Sequence, residues 1–198
     1  MNRRTIGRSI GGVLVACFLF VEIYPIIWLI SASFKAPTEF VTRPSFALPV
    51  SFHVRNYVDA WTTGRMGTFF INSILATSLA LAIIVVFSLT VSFAITKMKW
   101  RLSGTVLAIF LAGILIPVQV VLIPLFVIFR TVGLINTLPG LSLIYASFGM
   151  SVAVFLMTGY LRYIPNELIE ASIVDGCTVY QILWRVILPL ATNAIMTV

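Results

Sequence analysis

Charged residues are scarce in this chain of 198 residues. Only 10% of the residues are charged and 60% are hydrophobic, with a mean hydropathy of +1.10, whereas soluble domains contain about 25% charged residues. This composition excludes a soluble globular protein and predicts a protein with several membrane spans. The net charge of +7 does not indicate nucleic acid as a partner, because the basic residues lie scattered at the ends of apolar segments and act as topology signals.

Cysteine and histidine are nearly absent as well. Cys17 lies in the first apolar segment and Cys177 in a polar segment far along the chain, so the two cysteines form no disulfide framework or zinc motif. His53 is the single histidine and has no second ligand at a suitable spacing, so we interpret it as a surface residue. We therefore expect this chain to bind no metal and no cofactor.

Catalytic motifs are missing too. The sequence contains no GxxxxGK[ST] phosphate loop, so we expect that this chain does not itself hydrolyse ATP. It also contains no HExxH, no GxSxG and no paired carboxylates within an apolar segment. The chain is therefore predicted to have no catalytic residues and to be no enzyme.

Four apolar segments reach the roughly 20 residues that a membrane span requires, at about 10–32, 69–95, 103–129 and 139–161. The first continues past Pro25 without a small-residue cleavage site, so we interpret it as an uncleaved span. A fifth apolar run opens at Leu188 and stops at Val198, from which we infer a truncated C-terminus. The sequence predicts an all-α, polytopic transmembrane helical bundle that forms a single domain over 1–198.

The distribution of Lys and Arg predicts the orientation of these spans. With the N-terminus in the cytoplasm, the inner segments hold eight of the 13 basic residues, and both compact clusters, at 2–4 and 97–101, lie inside. The outer loop is then at about 33–68, and a polar loop at about 162–189 lies in the cytoplasm.

This cytoplasmic loop carries signals for two helices with a sharp turn between them. Pro165 suits the first turn of a helix, and Gly176 suits a left-handed C-cap. Thr178 with Gln181 forms a capping-box pattern for a second short helix, and Pro189 is expected to mark the entry to the next span. A helix lying flat on the inner leaflet would have a basic polar face, whereas this loop is acidic, with Glu167, Glu170 and Asp175.

The same loop resembles the docking loop of bacterial ABC-importer permeases, whose pattern is Glu-Ala-Ala, three residues, Gly, nine residues, then Ile-x-Leu-Pro. In this chain Ser172 replaces the second Ala and Val186 replaces the Ile. The resemblance implies a coupling helix that sits in a groove of a nucleotide-binding ATPase subunit. The residues implied to dock there are Glu167, Glu170, Ala171, Ser172, Asp175, Gly176, Leu188 and Pro189.

Shorter motifs along most of the chain resemble the carbohydrate branch of this family, and in particular the shorter permease subunits similar to the second permease of maltose transporters. They are Ser33–Phe34–Lys35, Asn56–Tyr57, Asn72–Ser73, Ile116–Pro117, Ile123–Pro124–Leu125 and Gly133–Leu134–Ile135–Asn136–Thr137. The resemblance implies six core spans in a bacterial inner membrane, and import of a sugar or oligosaccharide.

The resemblance also implies an assembly. A second permease subunit would complete the pathway, two ATPase subunits would use ATP and Mg, and an extracytoplasmic solute-binding protein would deliver the solute. Import of a non-sugar solute is one alternative. A secondary carrier driven by an ion gradient is another, but it would need ionisable groups on several spans, and only Glu22 is present.

Several polar or aromatic residues within the spans are candidates for the substrate pathway, although packing between helices explains such residues equally well. For Glu22, a structural hydrogen bond to a neighbouring helix is the favoured interpretation over a functional role. Pro117 and Pro124 should each kink the third span. The pathway candidates are Asn72, Gln119, Tyr145, Phe148 and Ser151.

Overall fold

The computed structural model describes residues 3–98 and 100–198, with side chains described from residue 11 onward. Residues 1, 2 and 99, which belong to the two predicted basic clusters, lie outside the described residues. The chain divides into two compact units, Met1–Phe69 and Phe70–Val198.

All regular elements in the described residues are helical, which confirms the predicted all-α fold. The helices are α1 (Arg3–Ser33), α2 (Glu39–Thr42), α3 (Arg55–Thr62), α4 (Met66–Lys97), α5 (Ser103–Ile114), α6 (Val118–Thr131), α7 (Leu138–Tyr163), α8 (Glu167–Val174), α9 (Val179–Gln181), a π-helical segment (Ile182–Ile187), α10 (Leu188–Leu190) and α11 (Thr192–Thr197).

Three helices are long and apolar enough to cross a membrane, namely Gly11–Ser33 within α1, then Met66–Lys97 and Leu138–Tyr163. They confirm the first, second and fourth predicted spans. The third predicted span is broken into α5 and α6, which meet at an angle of 101°. If this bent pair is counted as one span, the described residues contain the four predicted spans, and the third is bent as its prolines predicted.

The break in the third span lies where Pro117 was predicted to kink it. Pro117 adopts an extended conformation, with φ −63° and ψ 131°, directly before α6, and it cannot donate a backbone hydrogen bond to continue α5. Pro124 lies inside α6 without ending that helix. The two prolines therefore differ, and only Pro117 separates two helices.

In the first unit, the outer loop is folded around two buried charged side chains. Lys35 is only 2% exposed, and its Nζ donates to the backbone oxygen of Ser45 at 2.9 Å. The Glu39 carboxylate accepts backbone N–H groups from Val50 at 3.0 Å and Ala36 at 3.2 Å. These two N–H donors, Val50 first, lower the pKa of Glu39 below its usual value.

Two of the short motifs meet at the C-terminal end of α1. The Asn56 side chain donates to the backbone oxygens of Ser33 at 2.9 Å and Lys35 at 2.8 Å. His53 is exposed, as predicted for a surface residue. The outer loop is thus tied to the end of the first span by buried polar contacts.

The core of the second unit joins α4 and α7 to the loop at about 162–189. In the membrane part, Ser92 Oγ donates to the Val154 backbone oxygen at 3.1 Å, and Thr158 Oγ1 donates to Ser92 Oγ at 3.0 Å. Hydrogen bonds between membrane helices stabilise by about 0.6 kcal/mol on average. The apolar part of this core comprises Leu89, Phe93, Met157, Leu161, Ile164, Ile182, Leu183, Ile187, Ala191 and Ala194.

Candidate functional site

The loop at about 162–189, predicted to be cytoplasmic, begins with a short acidic helix. Helix α8 starts at Glu167 after Asn166, and both Glu167 and Glu170 lie in its first turn, where carboxylates interact favourably with the helix dipole. Pro165 lies two residues before the first helical residue, so its predicted place in the first turn was wrong. The extended backbone of Ile164, with φ −71° and ψ 124°, is the conformation preferred before a proline, and it ends α7.

Gly176 ends α8 in the left-handed conformation that the sequence predicted, with φ +80°. Its N–H donates to the Ile173 oxygen at 3.0 Å, and the Cys177 N–H donates to the Ser172 oxygen at 2.9 Å. These two bonds form a Schellman motif. A Cβ on Gly176 would meet no heavy atom within 4 Å, so the backbone angle alone favours glycine here.

A capping box opens the second helix. Thr178 N–H donates to Gln181 Oε1 at 2.7 Å, and Gln181 N–H donates back to Thr178 Oγ1 at 3.4 Å. The predicted order of helix, sharp turn and helix is therefore confirmed.

Pro189 lies inside a helical stretch rather than at the start of a separate span. The apolar stretch Val179–Leu190 is helical throughout, and its six residues before α10 have π-helical hydrogen bonding. A proline ring clashes with the carbonyl four residues earlier in an α-helix, so a widened turn at that point accommodates Pro189. Such single π turns occur frequently at functional sites.

The inner face of α8 packs against the rest of the second unit. Ser172 is 8% exposed and donates its hydroxyl to the Leu168 oxygen at 2.6 Å, while Ile169 and Cys177 pack on the apolar core. Leu188 is half-buried against the same core. Ser172 thus faces the interior of its own chain, and a docking role for it stays a prediction.

The outer face of α8 and its turn is open to solvent. Glu167, Glu170, Ala171, Asp175 and Gly176 are all exposed, and so is Pro189 after the turn. Six of the eight predicted docking residues are thus accessible to another protein.

Four exposed apolar side chains around this face were not predicted. Ile173 and Val174 lie at the end of α8, and Val174 is 87% exposed; Tyr163, before the helix, is 89% exposed, and Tyr180, after the turn, is also exposed. Exposed apolar groups beside charged ones are typical of protein interaction sites. The sequence signal for this apolar surface was the pair Ile173–Val174 directly before Asp175–Gly176, because large apolar residues at an exposed helix end are typical of interaction sites. We call the exposed residues Glu167, Glu170, Ala171, Ile173, Val174 and Asp175 the outer face of α8.

An apolar cleft of about 340 Å³ lies beside the start of α8. One wall is formed by Tyr160, whose hydroxyl donates to the Leu190 oxygen at 3.1 Å. This bond fixes α10 against α7. The cleft is lined by Tyr160, Tyr163, Ile164, Pro165, Leu168 and Leu190.

The structure does not assemble the five pathway candidates into one site. Asn72 and Phe148 are half-buried, whereas Gln119 and Tyr145 are exposed, and no hydrogen bond joins any two of the five. Ser151 packs closely on Gly113 of α5, where an added Cβ would collide with the Ser151 hydroxyl. Ser151 therefore contributes to the contact between α5 and α7, and a pathway role for all five residues stays a prediction.

Glu22 lies on an exposed part of α1 and makes no side-chain hydrogen bond to any described residue. The favoured hydrogen bond to a neighbouring helix is therefore not found among the described residues of this chain. Those residues likewise contain no cluster of three or more side chains suited to a metal ion.

The fold and the loop together define a multi-pass helical membrane protein, in which the last long apolar helix, α7, is followed by a short helix with exposed acidic and apolar side chains. Residues 87–198 match the family described as binding-protein-dependent transport system inner membrane component. Because this match covers more than half of the chain, the chain belongs to that family.

Relatives in several bacteria support this assignment. A probable ABC transporter permease, YurM of Bacillus subtilis, is 31% identical over 97% of this chain. NgcG of Streptomyces coelicolor, a diacetylchitobiose uptake permease, is 29% identical over 92%. AmyC of Thermoanaerobacterium thermosulfurigenes, a probable permease for starch degradation products, is 35% identical over 88%. The chain spans 63%, 60% and 63% of the lengths of these relatives, respectively.

A solved structure has the same fold. It is the crystal structure of a bacterial ABC transporter involved in the import of the acidic polysaccharide alginate. The TM-score is 0.86 with 26% sequence identity, and the match covers all of this chain and 69% of the other. The bent α5–α6 pair and the cytoplasmic loop thus belong to a fold that an importer uses.

Proposed function

We propose that this chain is a permease subunit of an ATP-driven importer for sugars or oligosaccharides, and that it couples to a separate ATPase through the outer face of α8. The observation that carries the proposal is the construction of that helix. Its inner face is packed on the core that contains α4 and α7, while its outer face presents exposed carboxylates and large apolar side chains.

Such a helix is suited to transmit force. The ATPase would bind and hydrolyse ATP with Mg, and its movement would push the outer face of α8. Because Ile169 and Ser172 are packed inside the unit, the displacement would pass into α7 instead of bending the loop alone. This chain would supply no catalytic group.

The remaining partners follow from the same proposal. A second permease subunit would form the other half of the pathway, and an extracytoplasmic solute-binding protein would deliver the solute to the outer side. The assembly would lie in the bacterial cell membrane. No partner nucleic acid is involved.

The orientation we propose places the N-terminus in the cytoplasm. If α5 and α6 are counted as one broken span, four spans precede α8, and α8 returns to the side of the N-terminus. Eight of the 13 basic residues are then cytoplasmic, in keeping with the preference for basic residues on that side.

Sugars are favoured as substrates by the relatives, since NgcG and AmyC are described as permeases for a chitobiose derivative and for starch products. An importer for a non-sugar solute is the second candidate. A gradient-driven carrier is disfavoured, because Glu22 is the only acidic residue within the spans and the exposed outer face of α8 would have no role.

The proposal is tested by purifying the full-length protein with its cellular partners in mild detergent. The test variant is Glu170→Lys, and the control is Asp59→Lys, which makes the same charge change in an exposed ion pair of α3. We expect an ATPase subunit to co-purify with the wild type and the control and to be lost with Glu170→Lys. An ATPase retained equally in all three would refute docking through Glu170, and its absence from all three would refute the importer.

A further inference from the structure

Lys97, the last residue of α4, is hydrogen-bonded to the joint between α7 and α8. Its Nζ donates to the backbone oxygen of Ile164 at 2.6 Å and to Asn166 Oδ1 at 3.0 Å. Ile164 is the residue that ends α7, and Asn166 is the residue that precedes α8. A single side chain therefore connects the cytoplasmic end of one span to both sides of the loop's first turn.

Each of the two acceptors suits an ammonium group. The Ile164 oxygen lies at the C-terminal end of α7, where the helix dipole favours a cation and the last carbonyls lack partners within the helix. Hydrogen bonds from charged donors are shorter and about twice as strong as neutral ones. The side chain of Lys97 is half-buried, and its ammonium group lies at the C-terminal end of α7, where a cation is favoured.

Asn166 provides a second, independent observation. Asparagine before a helix normally accepts a hydrogen bond from the first turn of that helix, but the Asn166 side chain makes no such cap on α8. Its oxygen accepts from Lys97 instead. Asn166 therefore forms a hydrogen bond with Lys97 of α4 and no capping hydrogen bond with α8.

Helix α4 is joined to α7 at a second level within the membrane. Ser92 is bonded there to the backbone of Val154 and to Thr158. The bond to Lys97 extends this connection to the cytoplasmic end. Both helices are thus bonded to each other, and among the described residues Lys97 is the side chain of α4 that hydrogen-bonds to the point where α8 begins.

We propose that Lys97 is a positioning residue that transmits the displacement of α8 to α4, so that α4 and α7 move together when the ATPase pushes the loop. This inference rests on the proposed importer function. The displacement reaches α7 through the covalent chain at Pro165, and the hydrogen bonds of Lys97 add a direct polar connection to α4 beside the apolar packing. Without them, the ATPase would still dock and hydrolyse ATP, while a smaller part of its movement would reach the pathway.

The test uses the full-length protein with its partners, reconstituted in lipid vesicles. The quantity measured is the number of solute molecules imported for each ATP hydrolysed. Lys97→Met keeps the apolar stem and removes the donors, Lys97→Arg keeps a charged donor, and Arg162→Met is the matched control. Arg162 is an exposed basic residue in the last turn of α7, with no side-chain hydrogen bond to a described residue.

We expect Lys97→Met to retain the ATPase subunit and to hydrolyse ATP, but to import about tenfold less solute per ATP, which corresponds to about 1.4 kcal/mol. Lys97→Arg should restore most of this ratio, and Arg162→Met should leave it unchanged. A purely structural role would lower the amount of assembled protein without changing the ratio.

A ratio for Lys97→Met equal to that of the wild type would overturn the inference, and so would an equal loss in Arg162→Met. If Lys97→Met does not accumulate in the membrane, Asn166→Ala provides a second variant, because it removes one of the two acceptors. Asn166→Ala should also lower the amount of solute imported per ATP, and an unchanged amount would overturn the inference. A wild-type protein that binds no ATPase would instead refute the importer function on which the inference rests.

Discussion

Replacement of Gly176 by alanine should weaken the end of α8 by a predictable amount. Gly176 has φ +80°, and an L-residue in this left-handed region costs about 1–2 kcal/mol. An added Cβ would meet no atom within 4 Å, so no steric clash adds to this cost. Alanine also reduces the entropy of the unfolded chain, which offsets about 0.4–1 kcal/mol. The net destabilisation of the turn is therefore about 1 kcal/mol.

Hydrogen exchange measures this local change directly. The N–H groups of Gly176 and Cys177 are held by the Schellman bonds, so a loss of about 1 kcal/mol should speed their exchange about fivefold. Gly176→Asn should have a smaller effect, because asparagine enters the left-handed region more readily. Mass spectrometry of a peptide that spans the loop provides the rates.

A second glycine provides the control for this experiment. Gly159 is helical and also has no atom within 4 Å of an added Cβ, so Gly159→Ala should stabilise α7 by about 0.5–1 kcal/mol and leave exchange in α8 unchanged. If Gly176→Ala and Gly159→Ala gave the same exchange rates in α8, the role assigned to the backbone angle at Gly176 would be wrong.

Three further substitutions test other parts of the structure. Thr178→Ala removes the capping box and should destabilise the second loop helix by about 1 kcal/mol, measured as faster amide exchange after the turn. Gly113→Ala should lower thermal stability by about 1–3 kcal/mol through overpacking against Ser151, whereas Gly104→Ala should not, since space there is open. The pKa of Glu39 is lower in the folded protein than its unfolded value of 4.5. The ionised carboxylate therefore stabilises the outer loop above pH 4.5, and this stabilisation is lost as the pH falls through the folded pKa. Glu39→Gln should abolish the acid transition, which tryptophan fluorescence measures.

Features that depend on neighbouring residues were predictable from the sequence. The left-handed turn at Gly176 and the capping box at Thr178 involve residues no more than five positions apart. Their geometry is decided by the local preferences of glycine, threonine and glutamine. The long apolar spans were predictable for a similar reason, because composition alone determines whether a segment can cross a bilayer.

Features that depend on distant contacts were not predictable in the same way. The side of α8 that faces inward is decided by the core on which it packs, so the sequence did not show that Ser172 is buried. Pro117 indicated a kink, but the sequence did not give the 101° angle between α5 and α6 or the contact of α5 with Ser151 of α7. Lys97 contacts residues 67 and 69 positions away, a distance at which no sequence pattern indicates a partner.

The most direct test of the docking claim is site-specific crosslinking in native membranes. A photo-reactive amino acid at Val174, on the outer face of α8, should crosslink to a subunit that mass spectrometry identifies as an ATP-binding protein. The same amino acid at Phe46, exposed in the outer loop, should not crosslink to that subunit. An ATP-binding protein crosslinked at both positions or at neither would contradict the claim that the outer face of α8 couples this chain to its ATPase.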